Sequence, residues 1–199
     1  MNIVEFNADS FQEYDGYHAI VLFCQGCNFN CFRCYNREAV STKPVLGTPI
    51  DVLQKHVNPM HDAVVFLGGE PTVWDDDLVA AAKFADHSMN LNVKVFTNGF
   101  RPDVVKKLID EDCVDAFSVD LKCVEDCNKI LGISIQNHEY LDSVNHTLRL
   151  IVDSCLTLEI RTTELPGVDV EAVKVYISTE FPGIPHIIQK DFTDMLGPV

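Results

Sequence analysis

Six apolar, β-branched stretches alternate with amphipathic segments along the chain, and this alternation limits the possible folds more than any other feature. Strands that recur with a helix between them form βα units, and the strands of such units pair in parallel. Within each stretch the apolar residues are almost continuous, which is typical of strands that are covered on both faces. The predicted strands are residues 18–23, 63–67, 93–97, 116–121, 156–162 and 186–190.

Helix signals occupy the segments between these strands. Thr48 and Pro49 place a capping hydroxyl and a first-turn proline at the start of a helix that is expected to run to about Val57. Residues 75–77 are three aspartates ahead of an apolar stripe of helical spacing, and we interpret them as a helix cap and not as a metal site. Further helices are predicted from Pro102, after a capping Asn137, and over residues 169–179.

Six consecutive βα units predict an α/β fold, a partial (β/α)6 barrel whose parallel sheet is open on one flank, because full closure of such a barrel needs eight units. A doubly wound open sheet is the competing architecture. The chain is expected to form a single domain over residues 1–199. An open flank would leave a lateral cleft through which a large substrate, such as a protein loop, reaches the strand ends.

Three cysteines follow the first predicted strand within eight residues, in a C-x3-C-x2-C pattern formed by Cys27, Cys31 and Cys34. Three thiolates on one short loop can hold three corners of a [4Fe–4S] cluster and leave the fourth iron open to a substrate, whereas a closed site needs a fourth protein ligand. The spacing favours such a cluster. Taken alone, the triplet also suits three quarters of a zinc site that is completed elsewhere.

Each of the other predicted strands is also followed by a short polar or glycine-containing segment. Because the carboxyl ends of parallel strands meet at one edge of a sheet, we expect these segments to share one site with the cysteines. The segments are Gly68-Gly69-Glu70-Pro71, Thr97-Asn98-Gly99, Asp120-Leu121-Lys122, Arg161-Thr162-Thr163 and Gln189.

In these motifs and their order the chain resembles the glycyl radical enzyme activating proteins of the radical S-adenosylmethionine (SAM) superfamily, and most of all the anaerobic ribonucleoside-triphosphate reductase activating proteins. The resemblance rests on the cysteine loop at residues 24–36, on the segment at 68–71, on the later segments and on a lead-in at residues 10–16. It implies a [4Fe–4S] cluster on the three cysteines and SAM as the second cofactor.

The resemblance also implies which residues contact SAM. Gly68, Gly69 and Glu70 would hold its amino group, and Asp120 with Lys122 would contact its methionine end, where the lysine suits the carboxylate. Arg161 would meet SAM or an incoming protein loop. The remaining residues that the resemblance assigns to the cofactor site are Thr97, Asn98 and Gln189.

Several residues depart from the pattern of these activating proteins. Arg33 stands before the third cysteine, where an aromatic residue is usual, and Phe96 stands where related pyruvate formate-lyase activators have an aspartate that helps to bind a monovalent cation. We therefore expect no such cation here. Gln189 replaces a histidine of those activators, which indicates a different subgroup. Cys123 and Cys127 form a second C-x3-C pair, interpreted as buried thiols and not as an auxiliary cluster.

The implied reaction is the reductive cleavage of SAM to a 5′-deoxyadenosyl radical, which takes a hydrogen atom from a glycine of a partner glycyl radical enzyme. The partner implied is an anaerobic ribonucleotide reductase, and the electron donor is a flavodoxin or a ferredoxin. Two alternatives remain open. One is a small-molecule radical SAM enzyme that resembles the 7-carboxy-7-deazaguanine synthases, and the other is a zinc-stabilised interaction module without catalysis.

Charge and hydropathy exclude several other classes of partner. The chain has 30 acidic and 15 basic residues and a formal net charge of −15, so it would repel nucleic acid phosphates. No apolar run approaches the roughly 20 residues that span a bilayer, and no basic and apolar signal segment leads the sequence. We expect a cytoplasmic protein without a membrane partner, in which the eight cysteines are metal ligands or free thiols.

Overall fold

The computed structural model describes residues 1–191, and its seven strands form one sheet in which the spatial order of the strands is their order in the chain. The first pair of strands is antiparallel, and every later pair is parallel. The strands are β1 (Ile3–Ser10), β2 (Ala19–Cys24), β3 (Ala63–Gly68), β4 (Asn92–Thr97), β5 (Ala116–Asp120), β6 (Thr157–Glu164) and β7 (His186–Lys190).

Helices connect the parallel strands, as expected of βα units. Between β3 and β4, a 3-10 turn (Pro71–Trp74) precedes one helix and a π-helical segment (Phe84–Ser88) continues it. The α-helices are α1 (Arg37–Ser41), α2 (Pro49–His56), α3 (Asp76–Lys83), α4 (Pro102–Asp110), α5 (Cys127–Leu131), α6 (Asn137–Asp153) and α7 (Val170–Glu180).

The predicted α/β class and the parallel sheet are confirmed, and each of the six predicted strands is present. The strand that sequence reasoning missed is β1, which pairs with β2 at the edge of the sheet. It lacks a continuous apolar run because its side chains alternate between buried positions and exposed ones such as Glu5, Asn7 and Asp9. This period-2 pattern marks a strand with one solvated face. In residues 1–191, β1 and β7 are the two edges of the sheet, so the barrel is open between them.

The two faces of the sheet bury different side chains. The outer face packs against the helices with large residues, among them the fully buried Phe66 and Phe117. The inner face of the barrel carries smaller residues, including Ala19, Ala63 and Ala116, together with Tyr14 from the loop after β1.

Helix starts agree with the sequence signals at α2, α4 and α7. Thr48 and Asp51 form a reciprocal capping box, and the Asp169 side chain accepts a hydrogen bond from the Ala172 backbone N–H. Asp75 occupies the cap position of α3, but its carboxylate makes no cap hydrogen bond. It pairs instead with Arg101 and Lys107, so the predicted capping role of the acidic triplet is wrong in this detail.

The predicted cap at Asn137 is also displaced. The N-cap of α6 is Gln136, and the Asn137 side chain accepts a hydrogen bond from the Cys127 backbone N–H at 2.9 Å. Asn137 therefore stabilises the start of α5, a helix that sequence reasoning did not predict. Among residues 1–191, no helix is both long and apolar enough to cross a bilayer.

Candidate functional site

The cysteine loop lies directly after β2, at the carboxyl end of the parallel sheet. Cys27, Cys31 and Cys34 are each partly exposed. In residues 1–191, their three sulfur atoms do not all lie within 4.8 Å of one another. Around one tetrahedral zinc ion, with Zn–S bonds of about 2.3 Å, the sulfurs would be about 3.8 Å apart. In the metal-free protein the three thiols are therefore not gathered around a single ion.

Backbone hydrogen bonds hold this loop on two sides. On the β3 side, the N–H groups of Gly69 and Glu70 donate to the carbonyls of Cys24 and Gly26, at 2.9 and 2.8 Å. On the α5 side, the N–H groups of Asn30 and Phe32 donate to the carbonyls of Leu131 and Ile130, at 2.9 and 3.2 Å. The position of the cysteines thus depends on main-chain contacts with two other segments.

Two glycines make these close contacts possible. A Cβ atom at Gly69 would lie 1.9 Å from the carbonyl oxygen of Gly26, and a Cβ atom at Gly132 would lie 1.9 Å from that of Asn30. A side chain at either position would push the loop away. Gly69 was among the predicted site residues, whereas Gly132 was not, because its role depends on a contact about a hundred residues away in sequence.

The neighbouring Gly68 has the same close packing against β2. Its φ is +112°, and a Cβ atom there would lie 2.7 Å from the backbone nitrogen of Cys24. This left-handed backbone favours glycine. The Gly68 carbonyl also accepts a hydrogen bond at 3.0 Å from the side chain of Asn36, two residues after Cys34.

Glu70 is buried and joins the segments after β3 and β4. Its Oε1 atom accepts hydrogen bonds from the backbone N–H and hydroxyl of Thr72, at 3.1 and 2.6 Å, and from the hydroxyl of Thr97 at 2.7 Å. Its Oε2 atom accepts one from the Asn98 backbone N–H at 2.6 Å, and a carboxylate oxygen has capacity for a second. Burial raises the pKa of Glu70 and outweighs these hydrogen bonds, which lower it.

The side-chain amide of Asn28, next to Cys27, is only partly hydrogen-bonded within residues 1–191. The Asn98 side chain donates to Asn28 Oδ1 at 2.7 Å, and this bond orients the Asn28 amide. The Nδ2 atom of Asn28 is buried without a hydrogen-bond partner among residues 1–191. Buried donors are almost always satisfied. A donor beside three thiols fits the sulfide of an iron–sulfur cluster or the carboxylate of a bound amino acid, so the donor set suits the predicted cofactors.

Burial raises the pKa of Cys27 and Cys31 in the protein without metal. The pKa of Cys27 rises to about 12, first through desolvation and then through the Glu70 carboxylate. Desolvation also raises the pKa of Cys31, and the Lys122 ammonium opposes this rise. Such thiols stay protonated at neutral pH, and binding of a metal would release their protons.

Asp120 and Lys122 form an ion pair of 2.7 Å at the carboxyl end of β5. Both side chains are partly buried, so the pair is not a fully solvated surface contact. Burial lowers the pKa of Lys122, but Asp120 and the thiols of Cys31 and Cys27 outweigh this effect and raise it. The structure therefore brings the predicted Asp120 and Lys122 to the cysteine loop.

Arg161 and Gln189 lie further around the barrel, on β6 and β7. The Arg161 guanidinium lies over the ring of Phe96, 5.0 Å from its centroid. Gln189 lies on the edge strand β7, in register with Thr163 on β6. Arg33 of the cysteine loop forms a 2.6 Å ion pair with Asp191, two residues after Gln189. This ion pair brings the end of β7 to the cysteine loop across the open flank.

The other cysteines divide into buried and exposed thiols. Cys123 and Cys127 are buried, and a hydrogen bond between them together with burial raises the pKa of Cys123. Cys24 and Cys113 are also buried, whereas Cys155 is exposed. The interpretation of Cys123 and Cys127 as buried thiols agrees with this packing.

A second group of metal-binding residue types lies at the opposite end of the barrel. Asp9, His18 and His61 place a ligand atom each within 4.8 Å. However, His61 accepts a hydrogen bond from the Asn58 backbone N–H at Nδ1, so its Nε2 donates to the Ala8 carbonyl at 2.6 Å. Both ring nitrogens of His61 thus make hydrogen bonds within the protein. His61 therefore offers no free lone pair to a metal ion.

Comparisons with known proteins relate this chain to a protein family. A sequence model of the radical SAM superfamily matches residues 21–175. Two proteins of Methanocaldococcus jannaschii, both provisionally named glycyl-radical enzyme activating enzymes, are 29% identical over 161 residues and 25% identical over 164 residues. These matches cover 78% and 80% of this chain, but only 65% and 62% of the relatives. The chain therefore spans less than two thirds of the length of these relatives.

Solved structures support the fold. The structure of Streptococcus suis SuiB bound to the precursor peptide SuiA matches with a TM-score of 0.61 at 12% identity, over 86% of this chain and 38% of that one. The structure of anSMEcpe with bound AdoMet matches with a TM-score of 0.58 at 15% identity, over 85% of this chain and 48% of that one. At these identities the likeness concerns the fold alone.

Proposed function

Because this chain belongs to the radical SAM superfamily, we propose that it activates a glycyl radical enzyme by forming a radical on a glycine of that partner. The observation that carries the proposal is the cysteine loop at the strand ends, with its three thiols and the buried Asn28 Nδ2 atom, which has no hydrogen-bond partner among residues 1–191. The names of the two archaeal relatives support the choice of reaction within the superfamily.

Cys27, Cys31 and Cys34 would hold the [4Fe–4S] cluster, since three thiols on one short loop can bind three of its irons. When bound, the reduced cluster supplies one electron that breaks a sulfur–carbon bond of SAM, giving methionine and a 5′-deoxyadenosyl radical. A reduced flavodoxin or ferredoxin is the proposed source of that electron. The protein binds and orients these groups and needs no acid–base residue for this chemistry.

The residues around the loop have distinct roles in this proposal. Lys122, held by Asp120, supplies a positive charge for the SAM carboxylate. Glu70 Oε2, which can accept a second hydrogen bond, would bind the amino group of SAM together with the backbone of Gly68 and Gly69. Glu70 also fixes Thr97 and Asn98 through its hydrogen bonds, so it positions the segment after β4 as well as SAM.

The partner would present its glycine at the open end of the barrel. Glycine lacks a side chain and allows close approach to the radical, which takes one hydrogen atom from Cα and becomes 5′-deoxyadenosine. Phe32 and Tyr35 on the cysteine loop are 74% and 61% exposed, and such aromatic side chains favour contact with another protein. We propose an anaerobic ribonucleotide reductase as the partner, on the resemblance of the sequence motifs.

Electron paramagnetic resonance tests this proposal directly. The anaerobically reconstituted and reduced protein is incubated with SAM and a candidate glycyl radical enzyme, and we expect the doublet of a glycyl radical. Cys27→Ala, Cys31→Ala and Cys34→Ala should each abolish the cluster and the doublet. Cys24→Ala is the matched control, because Cys24 is a buried cysteine at the end of β2 that lies outside the triplet. SAM cleavage without a doublet on any glycyl radical enzyme would reject the proposed activity.

A further inference from the structure

A polar cluster lies on the inner face of the barrel, below the strand ends that carry the cofactor site. It consists of Lys94 on β4, Ser118 on β5, and Glu159 and Arg161 on β6. Phe96, Ser118 and Glu159 are in register on three adjacent strands, so their side chains share one level of the inner face. Lys94 lies one step below this level and Arg161 one step above it.

Two cations of this cluster contact the same carboxylate. Lys94 Nζ lies 3.1 Å from Glu159 Oε1, and Arg161 Nη1 lies 3.5 Å from the same oxygen atom. Both cations also lie over the ring of Phe96, 4.9 and 5.0 Å from its centroid. The two cations share the Glu159 carboxylate. Burial lowers the pKa of Lys94, and the nearby carboxylates of Glu159 and Asp15 oppose this effect.

Two groups of the cluster, the Ser118 hydroxyl and the Arg161 guanidinium, keep hydrogen-bonding capacity that no residue in 1–191 uses. Ser118 is fully buried, and its Oγ has no partner among residues 1–191. Within the same residues, the guanidinium of Arg161 has only the 3.5 Å contact with Glu159 as a hydrogen bond, although it carries five N–H donors. A buried hydroxyl and a guanidinium fork with spare donors together match the acceptors of a bound carboxylate.

The lower end of the barrel is filled. Tyr14 is buried there, with Lys94 Nζ 5.4 Å from its ring centroid, and it packs against Tyr17. Val21 and Val65 complete the apolar floor. A ligand of the polar cluster would therefore have to enter from the carboxyl ends of the strands, which is the side on which the cysteine loop lies.

We propose that Lys94, Ser118 and Arg161 bind a carboxylate of the molecule that loses its hydrogen atom in this site. This assignment to the substrate rests on the proposed radical reaction, whereas the binding itself does not. The paired cations Lys94 and Arg161 suit a carboxylate, and Glu159 would repel a phosphate dianion more strongly. The carboxylate comes either from an acidic residue next to the target glycine of a partner protein or from a small organic acid.

Acetate and acetamide are a matched pair of probes for this site, since they differ in charge but little in shape. Thermal unfolding of the full chain is measured with increasing amounts of each at constant ionic strength. We expect acetate, but not acetamide, to raise the melting temperature. Lys94→Met and Ser118→Ala should weaken the apparent acetate affinity about tenfold or more, and Glu159→Gln should strengthen it because it removes the competing carboxylate.

Lys83→Met is the control, because Lys83 makes a comparable ion pair with Glu111 on the surface and should leave acetate binding unchanged. If Lys94→Met does not fold, as judged by near-ultraviolet circular dichroism, Ser118→Ala and Glu159→Gln still decide the outcome. Equal stabilisation by acetate and acetamide, or wild-type acetate affinity in the variants, would overturn the proposal.

Two further arms distinguish the source of the carboxylate. If it belongs to a partner, acetate should compete with radical formation on that partner, and changing the acidic residues near its glycine to amides should raise KM. If it belongs to a small acid, a deuterated acid should pass deuterium to 5′-deoxyadenosine. The acetate titration needs neither SAM nor a partner, so failure of the proposed function and failure of the carboxylate site are separate results.

Discussion

Replacement of Gly69 by alanine tests whether backbone contact with β3 positions the cysteine loop. The added Cβ would lie 1.9 Å from the Gly26 carbonyl oxygen, whereas such contacts stay above 3.0 Å, so the loop must move by about 1 Å. This movement costs about 1–3 kcal/mol as overpacking. It also strains the two hydrogen bonds from Gly69 and Glu70 to the loop, at about 1 kcal/mol each. The expected loss of unfolding free energy is about 3–5 kcal/mol.

Urea unfolding measures this loss, and a slope of roughly 2 kcal/mol per molar converts it to a midpoint shift of about 2 M. Gly183→Ala is the matched control, because Gly183 has a φ of +88° and no atom within 4 Å of its missing Cβ. Its cost is only the backbone strain, about 1 kcal/mol. Iron and sulfide content after reconstitution should fall for Gly69→Ala and stay normal for Gly183→Ala. Equal midpoints and normal iron in both variants would refute the reasoning.

Three other predictions concern single side chains. Thr97→Val should lower the unfolding free energy by about 1–3 kcal/mol in chemical denaturation, because it removes the buried hydrogen bond to Glu70; a change below 0.5 kcal/mol would contradict this role. Lys122→Met should weaken SAM binding about tenfold in equilibrium dialysis of the reconstituted protein, and unchanged binding would exclude the pairing of Lys122 with the SAM carboxylate. Burial, with the nearby Lys174 charge, lowers the pKa of His186 below 6.5, so the folded state binds its proton less well than the unfolded state. Stability should therefore fall as the pH drops below about 6.5, and His186→Gln should lose this part of the pH dependence in unfolding experiments.

The central parallel strands β2 to β5 were predictable because they are largely buried on both faces and mainly apolar. β6 and β7 are less buried, and they were recognised by the shorter apolar stretches that they contain. β1 was missed because it lies at the edge, where alternate residues such as Glu5 and Asn7 face solvent. Its polar residues hide the strand from a search for apolar runs. The helix starts at Thr48 and Pro102 were predictable because capping chemistry acts within a single turn.

The candidate site was predictable only in part. Its motifs follow strands, and parallel topology collects strand ends, so proximity of the cysteines to Glu70 and Lys122 follows from order alone. The roles of Asn28, Gly132 and Tyr140 depend on contacts between distant segments, and no local pattern reports such contacts. Tyr140, for example, accepts a hydrogen bond from the Lys122 backbone N–H with its hydroxyl oxygen, across 18 residues.

The support of the cysteine loop by main-chain hydrogen bonds has a consequence for how related chains can differ. Its anchoring carbonyls and N–H groups belong to the backbone, so the anchors do not depend on which side chains stand between the cysteines. Positions such as Phe32 and Tyr35 can change without moving the three thiols. The same metal-binding scaffold can thus be presented to different partners by exchanging its exposed side chains, while the glycines that admit the loop must remain.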